Sequence, residues 1–324
     1  MGYVVHIVTA IGVGIVILYG CLGEILTEKS GHLNLGIPGI MCMGTAGGCL
    51  GVSVYMKSLM AGTEPSGFLL LSFSVILAAL FACIGGIIYA FLTVSLRCNQ
   101  NVTGLAITTF GSGFSEYIMG IVKKDEGTIF AVAKLKFKSS LPFADSLGVF
   151  GKVFLSHGFL VYFAIALAIL MWFILKKTRI GLNLCAVGEN PATADAAGIN
   201  VTAYKYAAIL IGSAIAGIGG LFYVMDSNDG SWETASTLLA YGWLAIALVI
   251  FAIWKPNIAI FGSILFGVLY VLKGVLGLDG APSKIVMIFP YLITVIVLIL
   301  TSVFDSKNAQ PPASLGLNYF REDR

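Results

Sequence analysis

Residues 176–204 read KKTRIGLNLCAVGENPATADAAGINVTAY, a polar interruption in a chain that is otherwise built of membrane-grade apolar sequence. The stretch opens on Lys176, Lys177 and Arg179 and is punctuated by Gly181, Gly188 and Gly198. Asn190 followed by Pro191 predicts a helix start. Asn caps, and Pro at the first helical position loses no bond because that N–H is unpaired anyway. PATADAAG then supplies one or two turns that Gly198 ends. A mere connector needs only a few residues, so a helix carried inside such a loop is a docking element or an ordered interfacial loop without a partner. Both readings are open at this point.

Outward from this stretch the composition sets the class. The chain is 58% hydrophobic and 11% charged, where soluble domains carry about 25% charge. Apolar runs long enough to cross roughly 30 Å of hydrocarbon recur about nine times. They lie near 3–22, 34–55, 67–95, 102–122, 157–175, 204–225, 236–254, 258–276 and 285–304. Without water for the backbone, such segments form helices. The expected fold is therefore an all-α polytopic bundle of about nine spans (8–10). It forms a single membrane domain over 1–304, followed by a polar, extended and mobile tail at 305–324. The first span lacks a preceding base and a small-residue cleavage site, so it reads as retained rather than as a signal peptide.

Lys and Arg divide almost evenly between the two ends of the bundle, because loop 123–156 is itself basic (Lys123, Lys124, Lys134, Lys136, Lys138, Lys152). Loop 226–235, DSNDGSWETA, holds acids and no bases, which favours the outside and puts 176–204 in the cytoplasm. Small residues at four-residue spacing, Gly44 and Gly48 in one span and Gly212, Ala216 and Gly220 in another, make smooth strips for close helix packing. They serve an interface around a pathway or ordinary bundle packing. The net charge of +3 is small and dispersed, which argues against a nucleic-acid partner. The six cysteines form no C-x-x-C pair and the three histidines are isolated, so no metal or cofactor is expected.

GEILTEKSGHLNLGIPGIMCMG, residues 23–44, is the second informative stretch. Pro38, with Gly36 and Gly39 around it, disfavours helix after Asn34. A break here would point a half-helix and unpaired backbone at a substrate path; the alternative is a proline-kinked span with Glu24 and Glu28 at the interface. Glu116 lies inside the fourth span with Ser112 one turn before it. A carboxylate in lipid is costly, so it faces a water-filled path or reaches the outer interface. The candidate pathway residues are thus Asn34, Gly36, Pro38, Gly39, Ser112 and Glu116. Asp226, Asn228 and Gly230 lack the spacing of a calcium loop, GSGFS at 111–115 is not a nucleophile elbow, and no P-loop occurs.

These stretches resemble permease subunits of bacterial ABC importers for simple sugars and nucleosides, in the superfamily of the branched-chain amino acid permeases. Gly23, Glu24, Glu28, Lys29, Gly31, Asn34, Gly36 and Gly39 match the early signature of the nucleoside branch. Pro38 stands where that branch usually has Glu, which puts any role borrowed for that acid in doubt. Thr178, Gly181, Ala186, Val187, Gly188, Glu189, Asn190, Ala194 and Gly198 resemble the family's coupling loop, and SAIAGIGGLFY (213–223) and residues 242–267 continue the likeness. The resemblance implies a type II importer permease of the cytoplasmic (inner) membrane that is not itself an enzyme. Gly181, Gly188, Glu189, Asn190, Pro191, Ala194 and Gly198 would couple it to a separate ABC ATPase subunit. Its partners would be a second permease subunit, the same or a homologous chain, and an extracytoplasmic binding protein or lipoprotein. Nucleosides are the expected cargo, with simple sugars as alternative. From other classes stand an ATPase-independent transporter using Glu116 as its ion site, and a membrane enzyme, for which the sequence offers no nucleophile or metal cluster.

Overall fold

The computed structural model describes residues 2–59, 63–140, 145–278, 280–303 and 310–320. In order the helices are α1 (Gly2–Glu28), α2 (Ile37–Ser58), α3 (Gly67–Ala90), α4 (Gln100–Val122), α5 (Ala131–Phe137), α6 (Gly148–Phe154), α7 (Phe159–Lys177), α8 (Arg179–Glu189), α9 (Pro191–Ala196), α10 (Val201–Phe222), α11 (Ala235–Phe251), α12 (Pro256–Val275) and α13 (Ala281–Val303). Among the described residues eight helices are long and apolar enough to cross a membrane, and α11 is a shorter apolar one. The bundle thus has the expected all-helical architecture, and its backbone polar groups are satisfied within each segment.

Helices α1, α2 and α10 form the centre. They approach closely because glycines face each other: a Cβ on Gly44 would collide with the Gly217 backbone, and one on Gly23 with the carbonyl of Gly212. The two small-residue strips therefore pack the core. Helices α3, α4, α7, α12 and α13 surround it and present apolar side chains outward, among them Phe68, Leu80, Phe110, Phe173, Phe261 and Ile288.

Four prolines sit in the first turn of their helices, Pro38 in α2, Pro191 in α9, Pro256 in α12 and Pro282 in α13. Pro38 therefore starts a helix rather than kinking a span. The chain leaves α1 at Glu28, turns through 29–36 and re-enters as α2. Glu24 and Glu28 are in the last turns of α1 and fully buried, not at the interface.

The C-terminal stretch differs from the expected free tail. Residues 310–320 fold back across the α8–α9 end, where Ser314 N donates to Gly188 O at 3.0 Å and Gly316 N to Gly31 O at 3.1 Å. Backbone bonds to α8 and to the 29–36 turn hold it. Of that expected tail, 305–309 and 321–324 lie outside the described residues, as does Phe304 at the end of the last expected span.

Candidate functional site: the α8–α9 end and the buried turn beneath it

Helix α7 stops at Lys177, and Thr178 caps the next helix by accepting from Gly181 N at 3.2 Å. Gly181 sits on the backbone of Ile174 and Leu175, where no side chain fits. Helix α8 was not anticipated as an element; its buried face is carried by Leu184, Val187 and Gly188. Asn190 then caps α9, its Oδ1 accepting from Thr193 N at 3.0 Å, with Pro191 at the helix start. Gly198 closes the element at φ +83°, a left-handed conformation that favours glycine. The local reading of this loop holds residue by residue. One detail changes: Ala194 points inward, into a small core with Val187 and Val201, while Ala192, Thr193, Ala196 and Ala197 form the outer face.

This outer face is anchored from beneath. Gly188 lies so close to Lys29 and Gly31 that a Cβ would strike the Lys29 carbonyl. From the other side the C-terminal strap clamps it: Ala313 N donates to Glu189 Oε2 at 3.2 Å, Ser314 Oγ to Glu189 O at 3.0 Å, and Tyr319 OH to Asp195 Oδ2 at 2.8 Å. The strap continues to the α3–α4 loop, where Asn318 Nδ2 donates to Arg97 O at 2.6 Å and the Arg97 guanidinium lies 4.7 Å from the Phe320 ring.

The 29–36 turn is in turn bonded to three surrounding helices, α1, α3 and α4. Glu24 Oε1 accepts from Asn34 N at 2.8 Å, and Asn34 Oδ1 accepts from Gly36 N at 2.9 Å. Tyr89 OH of α3 donates to Leu33 O at 2.7 Å, Gln100 Oε1 of α4 accepts from Leu33 N at 2.8 Å, and Thr108 Oγ1 donates to Leu35 O at 2.7 Å. Glu28 accepts from the indole N–H of Trp254, in the α11–α12 connection. That connection is strained, since Ile253 and Trp254 hold φ of 54° and 51°; each such non-glycine residue costs about 1–3 kcal/mol. His32 is buried here too. Its pKa is pushed down to about 3, first by burial and then by the charge of Lys205, so it is neutral.

Asn34 and Gly36 in this turn and Pro38 and Gly39 at the start of α2 come together, all buried. Pro38 packs on Gly242, and Gly39 on Ile107 and Thr108. Ser112 and Glu116 are apart from them along α4. Glu116 is on an outward face of α4 and its Oε1 accepts from Ala235 N at 2.5 Å, capping α11 at the opposite end of the bundle. With Asn101, Thr109 and Ser112 it makes a polar stripe on a helix whose neighbours outward are apolar. Among the described residues no cluster of His, Cys, Asp and Glu could hold a metal.

A family model described as the branched-chain amino acid transport system/permease component matches residues 6–298. The chain belongs to this family. The permease is 32% identical to the nucleoside ABC transporter permease protein NupC of Lactococcus lactis subsp. cremoris, over 94% of its own length and 93% of that protein. It is 30% identical to the guanosine ABC transporter permease protein NupQ of Bacillus subtilis (94% and 92%). The putative glucose ABC transporter permease protein TsgC13 of Haloferax volcanii is also 30% identical (95% and 94%). The structure of PsaBC from Streptococcus pneumoniae in complex with Fab aligns with a TM-score of 0.46 at 14% identity, covering 90% of the permease and 89% of that chain. The permease is thus a multi-pass transport subunit. Sequence reasoning missed Tyr89, Gln100, Trp254 and the strap, because a long-range bond to a single polar side chain leaves no periodic signal.

Proposed function

We propose that this permease forms the substrate path of an ATP-driven nucleoside importer in a bacterial cytoplasmic membrane. Residues 1–304 are its membrane domain, 176–204 its coupling loop and 305–324 a polar C-terminal stretch. A separate ATPase docks on α9, with contact through Ala192, Thr193, Ala196 and Ala197. Gly181, Gly188, Glu189, Asn190, Pro191, Ala194 and Gly198 build and anchor that element. The supporting observation is the anchoring itself: α9 is capped, closed by a left-handed glycine and seated through Gly188 on the 29–36 turn. A push on α9 therefore reaches α1, α2, α3, α4 and the α11–α12 connection together, as a rigid-body shift.

Small side chains on the outer face allow close docking with little rotamer entropy to lose. A second permease subunit faces the polar stripe of α4, and Ser112 and Glu116 then border the path. Asn34, Gly36, Pro38 and Gly39 support the path from behind, as the joint that moves it. A binding protein delivers cargo at the end where Glu116 caps α11. Nucleosides are favoured because relatives at 32% and 30% identity carry nucleoside and guanosine in their names; a putative glucose permease, also 30% identical, makes simple sugars the second reading.

The test is uptake into proteoliposomes carrying the permease, its partner permease, ATPase and binding protein. Labelled guanosine enters only with internal ATP, and excess glucose does not compete. ATP-driven uptake of glucose unaffected by guanosine would replace the cargo, and uptake without the ATPase would return Glu116 to the role of an ion site.

A further inference from the structure

Beside α9, on the same end of the bundle, lies a cavity of about 480 Å³ lined by His32, Arg97, Asp195, Thr202, Lys205 and Asn318, among others. Lys205 is 3% exposed and, among the described residues, makes no hydrogen bond or ion pair. A buried ammonium without a counter-ion is costly, so its position needs a reason. His32 is 1% exposed, and among the described residues its ring nitrogens have only the Ser30 and Thr93 backbone near them and no well-formed hydrogen bond. The same wall is the start of α10. There Asn200 takes the amides of Ala203 and Tyr204, leaving those of Val201 and Thr202, at the positive end of the helix dipole, without intrahelical partners. The one carboxylate on the lining, Asp195, is engaged by Tyr319 OH.

We propose that this cavity is a binding site for a phosphate group, held by Lys205, the N-terminus of α10 and His32. A helix N-terminus with free amides is a ready anion site, and the ammonium supplies the charge that a bare N-terminus lacks. The volume exceeds what chloride needs and accommodates a phosphoester together with part of what it is attached to. The group comes from a lipid headgroup or from a soluble phosphate. Because the strap residue Asn318 also lines the cavity, an occupant bridges the strap to α10.

The full chain in phosphatidylcholine nanodiscs is titrated with inorganic phosphate, and separately compared with discs containing phosphatidylglycerol, reading thermal stability and phosphorus NMR. Wild type and Lys205→Arg gain stability saturably in one or both arms, while Lys205→Met, which keeps the aliphatic stem, loses at least tenfold in affinity. Stabilisation by phosphate in neutral discs assigns a soluble source; stabilisation by phosphatidylglycerol alone assigns a headgroup. Lys205→Met itself stays folded, with a melting temperature at or above that of unliganded wild type, since an unpaired buried charge has gone. Equal responses in wild type and Lys205→Met overturn the site. So does phosphate binding that appears only after truncation beyond Phe320.

Discussion

At the residue scale the account turns on Glu28. Its carboxylate holds the Trp254 indole and with it two consecutive left-handed residues, Ile253 and Trp254. Glu28→Ala leaves a buried donor unpaired and strain unsupported, and is expected to cost about 2–4 kcal/mol. Glu28→Gln retains an acceptor oxygen and most of the stability. Melting curves in detergent, with the two variants side by side, check this. His32 gives a pH dependence. Its folded pKa of about 3 lies below the unfolded value, so the unfolded chain binds more protons between the two. Stability from this residue is present above pH of about 6.5 and falls as pH drops toward 3, by up to about 1.4 kcal/mol per unit. His32→Asn flattens that part of the stability profile; an unchanged profile would mean that His32 does not govern it. Glu24 and Glu28 were legible as acids four apart ahead of Asn34 that match the early permease signature, but not their depth. Which polar groups a carboxylate will reach in the folded bundle is fixed by helices far away in the chain.

At the scale of elements, α9 was legible because capping is local. Asn190, Pro191 and Gly198 act within a few residues of each other, and each plays the part its chemistry dictates. Helix α8 and the strap were not. Gly188 signals its close approach only when Lys29 and Gly31 are known to lie against it, and the polar tail reads as free until Gly188 and Gly31 receive it. Pro38 was read as a break, and a break is present, but it opens onto packed protein rather than a cavity. The strap yields a prediction. Tyr319→Phe removes one hydrogen bond to Asp195 and costs about 1 kcal/mol. Truncation after Val303 removes all of them. Hydrogen exchange is expected to speed up over 186–200 in the truncated protein while α2 and α10 keep their protection. Unchanged exchange over 186–200 would show that the strap does not hold α9.

For the whole molecule, the class and the span count follow from composition, since lipid permits only closed backbone hydrogen bonding. The arrangement of those spans follows from where glycines let helices meet. Gly44→Leu, which drives a side chain into Gly217, is expected to block accumulation of the folded protein, whereas Phe261→Leu on the outward face is tolerated; expression level and detergent melting behaviour distinguish the two. The central claim is that α9 is the surface through which an ATPase moves this bundle. Its most direct test is co-purification of the tagged protein in mild detergent, wild type against an Ala192→Arg, Ala196→Arg double variant. Both positions face outward, so the substitutions leave the fold intact. An ATPase subunit is expected to stay with wild type and to be lost from the variant at equal melting temperature. Retention of the ATPase by the variant, or its absence from wild type across several gentle conditions, would contradict it.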